Sequence, residues 1–463
     1  MSKRRSGNHR QSEPITQTMR PVVPIQENHQ LVLLTEKMNW AELEEHVQQI
    51  RMSKLKSNAG RPPHLRELMG AMIFKGMRDV TWREAEDQIR HYAPARYLCG
   101  LTESEWTPDY TTMHGFAVLL GEDGMKMLNE YAVKWAVNEK LADPSVIVAD
   151  TTAQEANVPY PNEMGLMASF MVSLAAASKK AGKIFKEFAA KVEGKFKVAK
   201  EKVREYRLFA KTKEDKDRMV EEMATLTEQV QKELSSALKR AKAAPQKLAK
   251  YGLVARAKVE KLHETMKELV PQIRYWLKTG WVAADKIISI HIPEVYSIVR
   301  GKSGKAVEFG LKWGLTRLRG GFLLASLATS KKDGADTKFA VKAVEEHISL
   351  FGAPPRAYAF DRGGYSEKNV DTLKKLGVKE VGLAPRGRAA WAVSDSTKEK
   401  LVQERALIEA GIGTIKSRRY GFNRPRARSK RMMGASGQLS VFGFNLNKLI
   451  RGLASRDRIE LTG

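Results

Sequence analysis

The apolar periodicity of this 463-residue chain changes character along its length, and those changes restrict the fold to a mixed one. Early on the spacing is helical. Leu68, Met72 and Ile73 repeat at helix spacing after the loop Gly60-Arg61-Pro62-Pro63. Trp82, Ala85, Ile89 and Tyr92 continue that pattern, with Pro94 expected to end the helix. Pro108-Asp109-Tyr110-Thr111-Thr112 supplies a turn and capping residues before a helix over Met113 to Leu120. Ser145-Val146-Ile147-Val148-Ala149-Asp150 then reads as a short buried strand ending in an acid. From about 164 to 280 the chain is rich in Lys, Glu and Ala. Met219, Met223, Leu226 and Val230, and later Val259, Leu262, Met266, Leu269, Ile273 and Trp276, step by three and four. Pro271 is expected to kink or end the last helix, and Ala243-Ala244-Pro245 and Tyr251-Gly252 to supply breaks.

From Lys286 onward the spacing predicts strands again: Ile287, Ile288, Ile290 and Ile292, then Val307 to Phe309, Phe322 to Leu324, and Ala357-Tyr358-Ala359-Phe360-Asp361. A helix over Glu367 to Leu376 closes at Gly377, a strand covers Val381 to Leu383, and a last helix runs from about Lys398 to Lys416. Alternation of this kind predicts an α/β core. The expected organisation is a flexible basic arm (1–30), an all-helical DNA-binding domain (31–140), a catalytic domain in two pieces (145–163 and 282–455), and a helical hairpin or bundle inserted at 164–281. No single helix-turn-helix stands out in the N-terminal part.

Charge narrows the partners. Eighty Lys and Arg against 53 Asp and Glu leave a net charge of +27, which favours a polyanion such as nucleic acid over a membrane surface lacking an amphipathic anchor. The first twenty residues are polar and basic, so no signal peptide is expected. The apolar run from Gly165 to Ala177 is too short to span a bilayer. A lone cysteine, Cys99, excludes an internal disulfide and a Cys-rich zinc site, and agrees with a reducing, cytoplasmic location.

Three acids draw the chemistry together: Asp150 and Asp361 at strand ends, and Glu409 on the late helix. Each alone has an ordinary explanation. Asp150 suits a turn or cap, Arg362-Gly363-Gly364 makes a tight turn natural at Asp361, and a lone helical Glu usually faces solvent. At about 100° per residue, Arg405 and Glu409 lie about 40° apart and Lys416 returns to about 20° from Glu409, whereas Glu404 points about 140° away. Ile408, Ile412 and Ile415 form the adjoining apolar face. Gly411 and Gly413 each cost this helix about 1 kcal/mol, tolerable where a strand or DNA backbone passes close. Carboxylates converging at one end of a sheet can hold two Mg²⁺ or Mn²⁺ ions about 3.5–4 Å apart, as phosphodiester cleavage requires. The most basic stretch follows, with Lys416, Arg418, Arg419, Arg424, Arg426, Arg428, Lys430 and Arg431. Tyr420 and Phe422 interrupt it and would offer faces for base stacking.

At these residues the chain resembles the DDE transposases of bacterial insertion sequences, in the branch with an N-terminal helical domain. Pro108-Asp109-Tyr110-Thr111-Thr112 resembles the segment closing that domain. Asp150-Thr151-Thr152-x-x-Glu155-x-Asn157-Val158-x-Tyr160-Pro161 resembles the segment bearing the first catalytic Asp, and Asp361-Arg362-Gly363-x-Tyr365-Ser366-x-x-Asn369 the second. Arg405-x-x-x-Glu409-x6-Lys416 matches the signature around the catalytic Glu. The resemblance implies a ribonuclease H-like core and two divalent ions on Asp150, Asp361 and Glu409. It implies cleavage of double-stranded DNA at terminal inverted repeats, and strand transfer to target DNA by a homodimer or larger assembly. Arg405 and Lys416 would hold DNA phosphates, with Arg418, Arg419, Arg424 and Arg426 beside them. Two departures stand out. Val402 replaces a family Tyr, and the long interval lies between the two Asp residues (361 − 150 = 211) rather than before the Glu (409 − 361 = 48).

Other readings fail. Gly301-Lys302-Ser303-Gly304-Lys305 lacks the Gly and Ser/Thr of a phosphate loop, with Val299 and Ala306 in their places. The nine His residues show no zinc spacing. The alternative to an active transposase is a non-catalytic DNA-binding regulator, or an inactive remnant, derived from one.

Overall fold

The structure, a computed structural model, describes residues 25–54, 64–101, 106–245, 247–302, 305–385 and 393–460. Most of the expected basic arm, the loop at 60–63, and residues 303 and 304 of the glycine-rich turn lie outside the described residues.

Capping chemistry divides the N-terminal part into α1 (Gln30–Lys37), α2 (Trp40–Lys54), α3 (Leu65–Arg78), α4 (Trp82–His91), α5 (Ala93–Leu98) and α6 (Tyr110–Asn138). Thr81 and Glu84 form a reciprocal capping box on α4. Asp109 caps α6 by accepting from the Thr111 and Thr112 amides, and its carboxyl is held well below the usual range by those contacts, the hydroxyls first. Pro94 does not simply end α4; it lies in the first turn of α5, where its missing N–H is harmless. Cys99 is buried, and burial pushes its thiol up to about 12, so it packs and does not react.

The sheet is built from β1 (Asp143–Glu155), β2 (Tyr296–Lys302), β3 (Lys305–Arg319), β4 (Leu323–Leu327), β5 (Ala357–Phe360) and β6 (Glu380–Leu383). Its path is β2-β3-β1-β5-β6, with β4 also on β3. The pairs β2/β3, β3/β4 and β3/β1 are antiparallel, while β1/β5 and β5/β6 are parallel. The mixed α/β class expected from the sequence is therefore present. Alternation along β1 separates two cores. Val146 and Val148 pack with Leu401, Ile408 and Ile415 of α14 (Asp395–Ile415). Ile147 and Ala149 pack with Phe339, Ala340 and Val344 of α12 (Asp336–Phe351), and Leu373 of α13 (Glu367–Lys375) joins the same core.

The helical region between the sheet strands comprises α7 (Glu163–Ser178), α8 (Lys183–Lys191), α9 (Glu193–Phe209), α10 (Lys213–Ala243) and α11 (Lys250–Thr279), around a core of its own. Arg274 of α11 clamps Glu221 and Glu228 of α10. Pro271 lies inside α11, which continues to Thr279, so the proline does not end the helix. Two expectations are corrected here. Gly252, expected in a break, is within the first turn of α11. Residues 286–292 form no strand. Ile287 and Ile290 enter the bundle core while Ile288 and Ile292 enter the sheet core, so the segment serves two cores and joins no ladder. Its polar groups are met locally: Gln272 Oε1 accepts from the Ile287 amide and Ser289 Oγ from the Ile292 amide.

The chain closes with α15 (Lys430–Glu460), a helix the sequence reading did not separate. It packs on α6 and α3, and the α3 crossing is close because Gly443 faces the Gly76 backbone, where a Cβ would clash. Beside that crossing, Asn445 Nδ2 donates to Asn129 Oδ1 (2.7 Å) and to Leu323 O (2.7 Å), and Leu323 N donates to Asn445 Oδ1 (3.0 Å). This fully buried knot joins α6, α15 and β4, so the N-terminal helices and one face of the sheet share a single core.

Candidate catalytic site

Register places the two aspartates side by side. Val148 is paired with Ala359 across the parallel strands, and Asp150 and Asp361 each follow by two residues. Both therefore stand at the same level, on the face of Val148 and Ala359 that α14 covers, on strands about 4.8 Å apart. Asp150 is not at a strand end, as expected, but inside one. Its antiparallel partner β3 carries β1 on to Glu155, whereas the parallel pairing stops at Val148. Asp361 does leave its strand, and its carboxylate accepts from the Arg362 amide to cap a 3-10 turn over Arg362–Gly364.

A third acid, Asp336 at the start of α12, was missed by the sequence reading. Thr151 Oγ1 donates to its Oδ1 (2.8 Å), and Lys312 Nζ donates to the same atom (2.7 Å). The Asp361 turn closes on it: a Cβ at Gly363 would lie 2.5 Å from Asp336 Oδ2. The glycines that follow Asp361 thus admit α12, because a Cβ at Gly364 would likewise lie 2.9 Å from that of Ala340. Burial pushes the Asp150 carboxyl up to about 6; the Thr151 amide opposes this, Asp361 and Asp336 add to it, and Arg405 opposes it.

Helix α14 brings the remaining candidates. Leu401, Ile408 and Ile415 are its buried stripe, which turns Arg405 toward the strand ends. Arg405 Nη2 donates to Asp361 Oδ1 (3.0 Å), so this guanidinium, expected on DNA phosphate, is seated on a carboxylate. Glu404, on the other side, is paired with Arg317 of β3 and fixes the helix to the sheet. Glu409 is exposed, one turn or roughly 6 Å beyond Arg405. Among the described residues no group of three His, Cys, Asp or Glu side chains is gathered closely enough to hold one metal ion. The structure thus brings Asp150 and Asp361 together and leaves Glu409 outside that group. Around the α14 glycines the space is open: nothing lies within 4 Å of a Cβ at Gly413, and only Leu323 is near Gly411. At Gly411 that neighbour is the side chain of the first residue of β4, at ordinary contact distance, so neither glycine is required by a close backbone approach.

The basic stretch divides by burial. Arg418, Arg419, Arg424, Arg426 and Arg428 are exposed and Lys416 is half-buried. Tyr420 (6% exposed) and Phe422 (0%) are buried, Phe422 edge-on to Trp313, so neither offers a stacking face. They anchor the segment so that its arginines stay outside. Arg424 is tied back, its Nε donating to Glu155 Oε2 (3.2 Å) and its amide to Glu155 O (2.9 Å). Arg426 overhangs a cleft of about 590 Å³ between this segment and the N-terminal helices, with Lys75 and Trp82 on the opposite wall.

No helix among the described residues is long and apolar enough to cross a membrane. No curated protein and no solved structure matches the chain. A protein-family model described as a transposase domain (DUF772) matches residues 21–117, a stretch holding α1 to α5 and the first turns of α6, and this match supports a transposase role.

Proposed function

We propose that the protein is a metal-dependent transposase of the Asp–Asp–Glu type, which cuts double-stranded DNA at the ends of a mobile element and joins those ends to target DNA. The observation that carries this reading is the level placement of Asp150 and Asp361 at the end of the parallel strands. The antiparallel-then-parallel sheet supports a ribonuclease H-like core for it. The donor chemistry fits a hard divalent cation, because Asp150 and Asp361 offer only oxygen and the nearby Asp336 adds negative charge. Asp150 and Asp361 would hold Mg²⁺ or Mn²⁺, with Glu409 joining from α14 as part of a two-ion site. Such ions activate the attacking hydroxyl and stabilise the leaving oxygen. Arg405 neutralises Asp361 in the free protein and is in place to take a DNA phosphate once that carboxylate has another partner. Lys312 and Thr151 hold Asp336 away from the reaction, and Lys416, Arg418, Arg419, Arg424 and Arg426 would grip the DNA backbone. A homodimer or larger assembly on DNA would bring two ends together.

The exposed position of Glu409 favours a second reading, a DNA-binding regulator without catalysis. Mn²⁺ titration by calorimetry separates the two. The full chain is expected to bind Mn²⁺ at neutral pH. Affinity should fall as pH drops below about 6, where Asp150 takes up its proton, by about tenfold per unit for one displaced proton. Asp361→Ala should abolish binding. Mn²⁺ binding that is absent, or indifferent to Asp361, would favour the regulator.

A further inference from the structure

A cleft of about 950 Å³ lies between the helical bundle and the sheet, and neither Asp150 nor Asp361 lines it. Its walls are α7, α9 and α11 on the bundle side, the segments 157–162 and 288–292 on the sheet side, and residues 427–429 of the basic stretch at one rim. Residue Glu155, five positions along β1 from Asp150, sits where the strand turns toward this cleft, about 17 Å from the aspartate at strand rise.

Three features of the lining define what it can hold. The cations Arg207, Lys258, Lys261 and Arg428 line it, and no carboxylate does. Lys261 is paired with Glu294, but Arg207, Lys258 and Arg428 form no ion pair among the described residues. Glu163, the sequence neighbour of Met164 in the lining, is paired with Lys286 (2.5 Å). The floor is apolar, with Met164, Leu262, Ile288 and Ile290 buried. At the mouth Tyr160 is 79% exposed and held edge-on by Phe309, leaving a ring face open to solvent. His291, an exposed member of the lining, has its pKa lowered by partial desolvation and then by Lys258 and Arg428, so cations from the bundle and from the basic stretch both face it.

Excess positive charge along a groove, an apolar floor and an open aromatic face are what binds a nucleic acid strand whose bases are unpaired. A duplex keeps its base faces stacked inside and would use only the charge. We propose that this cleft binds single-stranded DNA, with Tyr160 stacking on a base and Lys258, Arg207 and Arg428 holding the backbone phosphates. A strand freed at a cut end is the substrate of this site, which in that sense rests on the transposase reading. Binding itself needs neither metal nor the aspartates, so the two fail separately.

The test is fluorescence anisotropy with the full chain in EDTA, using labelled oligothymidine and a blunt duplex of equal length, with polyglutamate as competitor. Tyr160→Ala is expected to weaken oligothymidine binding roughly tenfold and to change duplex binding by no more than about twofold. Lys258→Gln should lower the salt slope of oligothymidine binding by about one unit. Both residues line a surface, and circular dichroism identifies a variant that has lost its fold. Unchanged oligothymidine binding in both variants would overturn the proposal. So would an equal loss on duplex, which would mark general charge attraction, or displacement by polyglutamate as effective as by oligothymidine, which would mark an acidic-peptide site.

Discussion

An Asp150→Asn variant is expected to be more stable than the parent chain and unable to cut DNA. The folded carboxyl keeps its proton up to about pH 6, against an ordinary value of 3.8. Between those values the folded state binds more protons than the unfolded one, so stability falls as pH rises across the window, and the full penalty is present above about 6. Asparagine is neutral throughout and its amide oxygen can still accept from the Thr151 N–H. The gain should reach about 2–3 kcal/mol near pH 7.5 and vanish near pH 4, read by denaturant unfolding at the two pH values. Cleavage should fall at least about a thousandfold, some 4 kcal/mol of barrier, because a neutral side chain cannot hold the ion. Equal stabilisation at both pH values would show that the buried charge of Asp150 is not the cause.

Asn445→Ala should have the largest effect on stability away from the aspartates. The side chain makes three hydrogen bonds in a fully buried knot, and truncation orphans the Leu323 amide and the Asn129 carbonyl as well as leaving a cavity. A loss of about 3–5 kcal/mol is expected, with unfolding remaining a single transition, since the knot ties α6 and α15 to β4 within one core. Two separate transitions in the variant would show that the N-terminal helices fold apart from the sheet.

The sequence made some of this visible for clear physical reasons. Val146 to Ala149 within β1 and Ala357 to Phe360 of β5 are short apolar runs bounded by polar residues, and each acid directly follows its run. The stepped apolar positions of α10 and α11 reported helices directly. Asp336 escaped notice because an acid beginning a helix has an ordinary electrostatic explanation; only the long-range approach of Gly363 brings it to the site. The Ile287–Ile292 run has the composition of a strand, but two cores on opposite sides divide it. Tyr420 and Phe422 read as exposed among arginines because local charge says nothing of a buried anchor such as Trp313. The extent of β1 beyond Asp150 depended on the partner β3, which only tertiary pairing supplies.

The most direct measurement mixes the purified chain with DNA carrying the element's own flanking ends, in Mg²⁺ or Mn²⁺, alongside Asp361→Ala and Glu409→Gln. The account predicts cuts at those ends that require the metal and disappear in both variants. Binding to intact ends without any cut by the folded parent chain, or cuts that survive in Asp361→Ala, would contradict it.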